Sequence, residues 1–156
     1  MNSHSKLQGK SNLVGLNLHG AFIRRTTLHG ASLVGANFSQ VEAQGADFSS
    51  VTAVGANFSS AKLSESDFSN AIVVGANFAD SDCRQCSFVA SKMTGANFAG
   101  ADCRGALFDG ADVVGVNFSD ANLSGADLSG AMGLTKHQIH SARVDVVTKL
   151  PFSIGS

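Results

Sequence analysis

Nine phenylalanines stand ten residues apart without a slip: Phe38, Phe48, Phe58, Phe68, Phe78, Phe88, Phe98, Phe108 and Phe118. Leu18, Leu28 and Leu128 extend the series at both ends. Leu13, Ile23, Leu33, Ala43, Ala53, Leu63, Val73, Cys83, Met93, Cys103, Val113 and Leu123 fall midway between its members. The underlying period is therefore five, and all 24 central positions are apolar and uncharged. Two residues before the centres runs a series of 25 positions from Ser11 to Ala131, small except at Leu16 and Ala at fifteen, and two residues after the centres stand 14 of the 17 glycines. Asn or Asp dominates the position just before the centre. A period of five matches neither the turn of an α-helix nor the two-residue alternation of a strand. It suits a chain that turns a corner every five residues, with the small and central side chains inward and the other three outward. Gly supplies the permissive dihedrals of a tight corner, and Asn or Asp can bond nearby backbone groups.

Units such as Ala36-Asn37-Phe38-Ser39-Gln40 and Ala46-Asp47-Phe48-Ser49-Ser50 resemble the A(D/N)LxX unit of the pentapeptide-repeat family. The resemblance covers roughly residues 11–131 without interruption. It implies an all-β solenoid, a right-handed quadrilateral parallel β-helix. A longer period supports four sides per coil: Val14-Gly-Leu-Asn-Leu18 returns around Val34, Val54, Val74, Thr94 and Val114, every 20 residues. Six such coils at ~4.8 Å each make a rod roughly 30 Å long. Wrapped in twenties, Phe38, Phe58, Phe78, Phe98 and Phe118 form one interior column. Phe48, Phe68, Phe88 and Phe108 form the opposite one.

Three segments follow: a loose start at 1–10, the β-helix at 11–131, and a cap at 132–156. A solenoid must close its open core. Thr135-Lys-His-Gln138 fits a helix capping box, so a short helix is expected from about Lys136 to Ala142, then an irregular tail ending near Pro151. The pattern after Ala131 resembles the closing segment of bacterial family members. Leu134, Ile139, Val146 and Leu150, with Val144 and Val147, could seal the core, build a homodimer contact, or both.

Chemistry is sparse. Cys83 and Cys86 make a CxxC and Cys103 lies one coil on, but all three take inward positions, and no fourth Cys or nearby His completes a zinc set. His19 and His29 are placed on adjacent faces, and His137 and His140 on the expected helix. No nucleophile triad, phosphate loop or concave pocket is expected, so the chain reads as no enzyme, with no cofactor and no metal. Net charge is −1 with 15% charged residues, which excludes a strongly basic nucleic-acid binder. No apolar run approaches the ~20 residues of a membrane helix, and the polar first ten residues do not read as a signal peptide. A cytoplasmic protein is expected, with no direct nucleic-acid or membrane partner.

Two surfaces are candidates for contact. Val14, Val34, Val54, Val74 and Val114 align as an outward apolar ladder, with Ile72 beside Val74; it is either simple strand preference or a flat contact face. The side carrying Ile23 to Leu123 mixes charges, with Glu42–Lys62 and Lys62–Asp82 as expected pairs. These features point to a non-catalytic binding or scaffolding module with an unidentified protein partner. The alternative, implied by the family resemblance, is a DNA-mimicking protein that binds gyrase and protects it from quinolones. A mimic should show a long negative stripe, and the sequence shows none.

Overall fold

In a computed structural model, Leu7 and residues 11–155 are described. From Leu13 to Leu128 the chain repeats one manoeuvre. The central residue's carbonyl accepts from the N–H three residues on, as in Leu13 to Leu16 at 3.1 Å and Phe78 to Ser81 at 3.2 Å. As far as the corner after Leu123, the second residue after the centre takes a positive φ, which is the type II turn pattern. Gly fills that place at thirteen corners with φ of 63–68°. Ten others hold residues with a side chain, among them Arg25, Glu65 and Ala90, at φ of 54–62°. The corner is thus made by the repeat as a whole, and glycine makes it cheaper.

Each corner turns the chain toward the next side, and four corners return it above its starting point. Among the described residues the bridges are all parallel, and from Asn12↔Ser32 to Asp112↔Met132 every one joins residues 20 apart. Only the residue before each centre bridges, so each side is an isolated one-residue step of sheet. Both its flanking bonds run between coils: Phe58 N–H donates to Asn77 O at 2.6 Å, and Asn57 N–H to Ala36 O at 2.9 Å. The bridging Asn or Asp also secures its own corner. Asn37 Oδ1 accepts from Ser39 N at 3.0 Å, and Asp67 Oδ1 from Ser69 N at 2.8 Å.

The interior is a double aromatic stack. Within a column, Phe58 and Phe78 lie 4.9 Å apart and 6° from parallel, and Phe48 and Phe68 4.6 Å apart and 6° from parallel. Between columns the rings meet edge to face, as Phe78 and Phe88 do at 5.7 Å and 90°. Eight of the nine interior rings therefore combine stacking with T-shaped contact, the two favoured arrangements of an aromatic quadrupole, while Phe118 at the end is tilted 43° from Phe98. All nine are fully buried. Polar residues in the small slot bond within the core: Ser91 Oγ donates to Phe88 O at 2.7 Å, and Ser66 Oγ to Ala43 O at 2.8 Å.

At the far end the register slips. Asn122 bridges Arg143, 21 residues on, and Asp127 bridges Lys149, 22 on. Between Met132 and Arg143 a helix, Lys136–Ser141, takes the place of one side. A second short helix, Phe152–Gly155, follows Pro151. The tail is therefore less irregular than its sequence suggests, because Lys149 N–H donates to Ala126 O at 3.0 Å and Thr148 Oγ1 to Leu123 O at 3.1 Å. The expectation of a loose segment at 1–10 lies outside the described residues except at Leu7. That residue is 4% exposed and part of the same apolar cluster as Leu13.

Phe78→Ala, opening a cavity that stacked coils cannot close, should cost ~3–5 kcal/mol in chemical denaturation. Phe22→Ala, at a 62% exposed site, should cost less than ~1 kcal/mol. Ala90→Gly should stabilise by roughly 0.5–1 kcal/mol, since left-handed strain of ~1–2 kcal/mol outweighs the added chain entropy of ~0.5–1 kcal/mol.

Candidate functional site

With the interior filled, function must be sought on the outer sides, the corners and the ends. Val14, Val34, Val54 and Val114 are exposed, and Ile72 and Val74 are half-buried. The valines occupy the first residue of a corner, not a flat side, with the positive-φ glycine directly behind each. Only Ile72 stands on the adjoining flat side, bridged to Thr52 and Lys92. The expected flat apolar face is thus a narrow ridge. The five-residue pattern distinguishes inward from outward positions, but an outward residue can stand on a side or on a corner. At its upper end the ridge meets the closing segment, where a Cβ on Gly133 would collide with Val114 Cγ2.

The four residues singled out in the closing segment divide. Leu134 and Ile139 are buried and Leu150 half-buried, so these three act as the lid. Val146 is wholly exposed, and Met132, Val147 and Phe152 are exposed with it, Phe152 at 94%. The lid is secured by Gln138, which the sequence reading valued only for its capping role. Its Oε1 accepts from Thr135 N at 2.8 Å, while Nε2 donates to Val113 O at 2.8 Å and Val116 O at 2.9 Å. Val113 O also accepts its own corner bond from Val116 N–H at 3.1 Å, whereas Val116 O has no further side above it to supply a donor. No sequence periodicity signals this role, because Gln138 lies outside the repeat.

The mixed-charge side forms a ladder of ion pairs. Arg24 and Lys62 both bond Glu42, the latter at 2.8 Å. Asp82 takes Arg84 from its own corner, through Nε at 2.8 Å and Nη2 at 2.7 Å, rather than Lys62. The planar guanidinium matches both carboxylate oxygens, which a lysine ammonium cannot do. Arg104 repeats the arrangement on Asp102. Hydrogen bonds from Arg84 and Arg104 hold these two carboxyls below their usual range, and bonds from Lys62 and Arg24 lower Glu42. Beside the ladder a shallow trough of about 440 Å³ is lined by Ser64, Glu65, Arg84, Gln85, Arg104 and Gly105.

This side holds Arg24, Arg25, Lys62, Arg84 and Arg104, five of the six bases in the coils. The other three sides carry Asp47, Asp67, Asp80, Asp109, Asp112, Asp120 and Asp127 against Lys92. Counting charges along the sequence conceals this separation, which appears only when the chain is wrapped.

His19 and His29 stand at opposite corners, two sides apart rather than on adjacent faces, each bonded to a serine one coil on, Ser39 at 2.7 Å and Ser49 at 2.8 Å. Cys83, Cys86 and Cys103 are free and fully buried. Burial makes each thiol costly to ionise, and hydrogen bonds from Cys103, Cys86 and Ser81 make Cys83 the one that ionises first. Among the described residues no cluster of His, Cys, Asp or Glu is arranged to hold a metal ion, and no helix is long and apolar enough to cross a membrane.

Two family models match: a pentapeptide repeat region over residues 21–98, and pentapeptide repeats in eight copies over residues 101–132. No curated protein matches the sequence. Among solved structures, the chain is similar to QnrB1, a plasmid-mediated fluoroquinolone resistance protein, in a trypsin-treated R167E form. That likeness has a TM-score of 0.52 at 17% identity, over 96% of this chain and 91% of that one. It is also similar to Rfr23, a pentapeptide repeat protein from the cyanobacterium Cyanothece 51142, with a TM-score of 0.45 at 22% identity over 90% and 91% of the two chains. HetL, a pentapeptide repeat protein involved in heterocyst differentiation regulation in Nostoc sp. strain PCC 7120, gives a TM-score of 0.36 at 22% identity over 97% and 91%. At these identities the likeness bears on fold alone.

Gln138→Leu should cost ~1–3 kcal/mol by leaving the Val116 carbonyl without a donor, since Val113 O keeps its corner bond from Val116 N–H, with melting of the closing segment visible first in hydrogen exchange at Arg143 and Lys149. The lowered carboxylates give a sign to the pH dependence. Asp82 and Asp102 contribute fully above the ordinary carboxylate value of about 4, and that contribution is lost as pH falls through their lower folded values. The unfolding temperature should drop between about pH 5 and pH 2, and an Arg84→Gln/Arg104→Gln double variant should show a shallower drop.

Proposed function

This chain belongs to the pentapeptide-repeat family, and from that premise we propose that it is a non-catalytic binding or scaffolding module of the cytoplasm, working through its outer surface. The right-handed, four-sided winding implied by the family resemblance agrees with the 20-residue parallel register. The observation that carries the reading is the closing segment. Leu134, Ile139 and Leu150 do the sealing, while Val146, Val147 and Phe152 are left in solvent. Sealing does not require those three side chains outside, and exposed apolar groups of this kind suit a protein contact. A second copy of the chain is the simplest partner, giving a homodimer through the C-terminal end. The valine ridge is the second contact candidate.

Light scattering on the pure protein is the direct test. A dimer mass that becomes a monomer mass in Val146→Lys/Phe152→Ser supports the C-terminal contact; a monomer in the unaltered protein overturns the homodimer. Val54→Lys/Val74→Lys tests the ridge in the same measurement and in partner capture.

A second reading, gyrase binding by DNA mimicry, gains one specific observation in its favour. Within the coils, seven acids face one base on three of the four sides, although Lys149 of the closing segment pairs with Asp127 at 3.2 Å. The row Asp47, Asp67, Ser87, Leu107, Asp127 is broken in the middle, however, so the negative surface is not a continuous stripe. A supercoiling assay with gyrase and a quinolone decides it: neither inhibition nor protection overturns this reading and leaves the scaffold reading standing.

A further inference from the structure

The chain has three cysteines, and all three meet at one level of the core. Cys83 and Cys103 occupy the same interior column on successive coils. Their backbones are fixed side by side by the Asp82↔Asp102 bridge and by the Cys83 N–H bond to Asp102 O at 2.8 Å. Neighbouring coils lie ~4.8 Å apart, inside the ~4.4–6.8 Å that a disulfide spans between Cα atoms. The Cys83 thiol contacts those of Cys103 and Cys86, and its sulfur lies 3.2 Å from Ser81 Oγ. Cys86 directs its own S–H to Leu63 O at 2.9 Å, which turns it toward the coil below and leaves Cys103 as the partner above. Packing alone does not ask for thiols here, since Ala43, Leu63 and Leu123 fill the same column elsewhere.

We propose that Cys83 and Cys103 are a redox dithiol, closing into a reversible disulfide between successive coils when the protein meets hydrogen peroxide. Cys83 sulfur attacks one peroxide oxygen and the O–O bond breaks, giving water and a Cys83 sulfenic acid. Cys103 sulfur then attacks Cys83 sulfur, the S–O bond breaks, the S–S bond forms, and the second oxygen leaves as water. The two thiols lose two electrons and two protons, and one peroxide becomes two waters. A dithiol reductant reverses the change. Because both sulfurs are enclosed, the oxidant has to be small and uncharged, and a bulky charged disulfide such as oxidised glutathione is excluded.

The test uses the folded full-length protein, treated with hydrogen peroxide and then alkylated in denaturant. Alkylated thiols should fall from three to one, the intact mass before alkylation should drop by two hydrogens, peptide mapping should join Cys83 to Cys103, and dithiothreitol should restore all three thiols. Cys86→Ser should keep the bridge and Cys103→Ser should abolish it. Three thiols unchanged after peroxide, oxygen added to sulfur without an S–S link, or a bridge mapped to Cys83–Cys86 would each overturn the proposal, and all three outcomes can be read on the unaltered protein if a variant does not fold.

Discussion

Everything in this molecule depends on the corner taken once every five residues. A backbone that turns by the same amount at each corner closes after four and arrives one strand spacing above its start. The stacked rings, the bridging residues and the ion-pair ladder all follow from that closure. The energetic strength of the arrangement is sharing: no single side is long enough to be a stable strand, but each bridging residue bonds both upward and downward, so every coil is held by its neighbours. Stability of this kind is close to a sum over adjacent coils, and the ends are its weak places.

The two ends meet that weakness differently. At the beginning, Leu7 enters the apolar cluster of the first coil. At the close, a helix replaces one side, and Gln138 supplies an amide donor to the Val116 carbonyl that the missing side would have engaged, and a second to Val113 O. A polar side chain at 7% exposure is tolerated there because its amide hydrogens and its Oε1 both find partners. The same segment leaves Val146 and Phe152 outside, so sealing and display are carried out by residues only a few positions apart.

What the sequence made legible was the part governed by period. The five-residue rhythm sorts inward from outward side chains, and the 20-residue return assigns Phe58 and Phe78 to one column and Phe68 to the other. Properties that depend on two residues far apart in the chain were harder to read. Val54 is visibly outward in the sequence, yet whether it stands on a side or a corner is decided by the turn. Asp82 is visibly near Lys62 one coil away, yet Arg84 wins it by offering a two-pronged fit at closer reach. The separation of charge between sides becomes visible only after wrapping. The closing segment has no period at all, so only its local capping signal at Thr135 and Gln138 could be read.

The slip in register from 20 to 21 to 22 at the close has a consequence for assembly. A rod of stacked coils ends in a ring of backbone groups ready to pair, and an identical rod arriving with a strict 20-residue coil would otherwise be the ideal complement. By ending on a coil of uneven length, interrupted by a helix, the chain removes the template that such a visitor would need. End-to-end growth at this face is therefore denied a matching edge, while the exposed side chains of the same segment stay free for a contact of limited size.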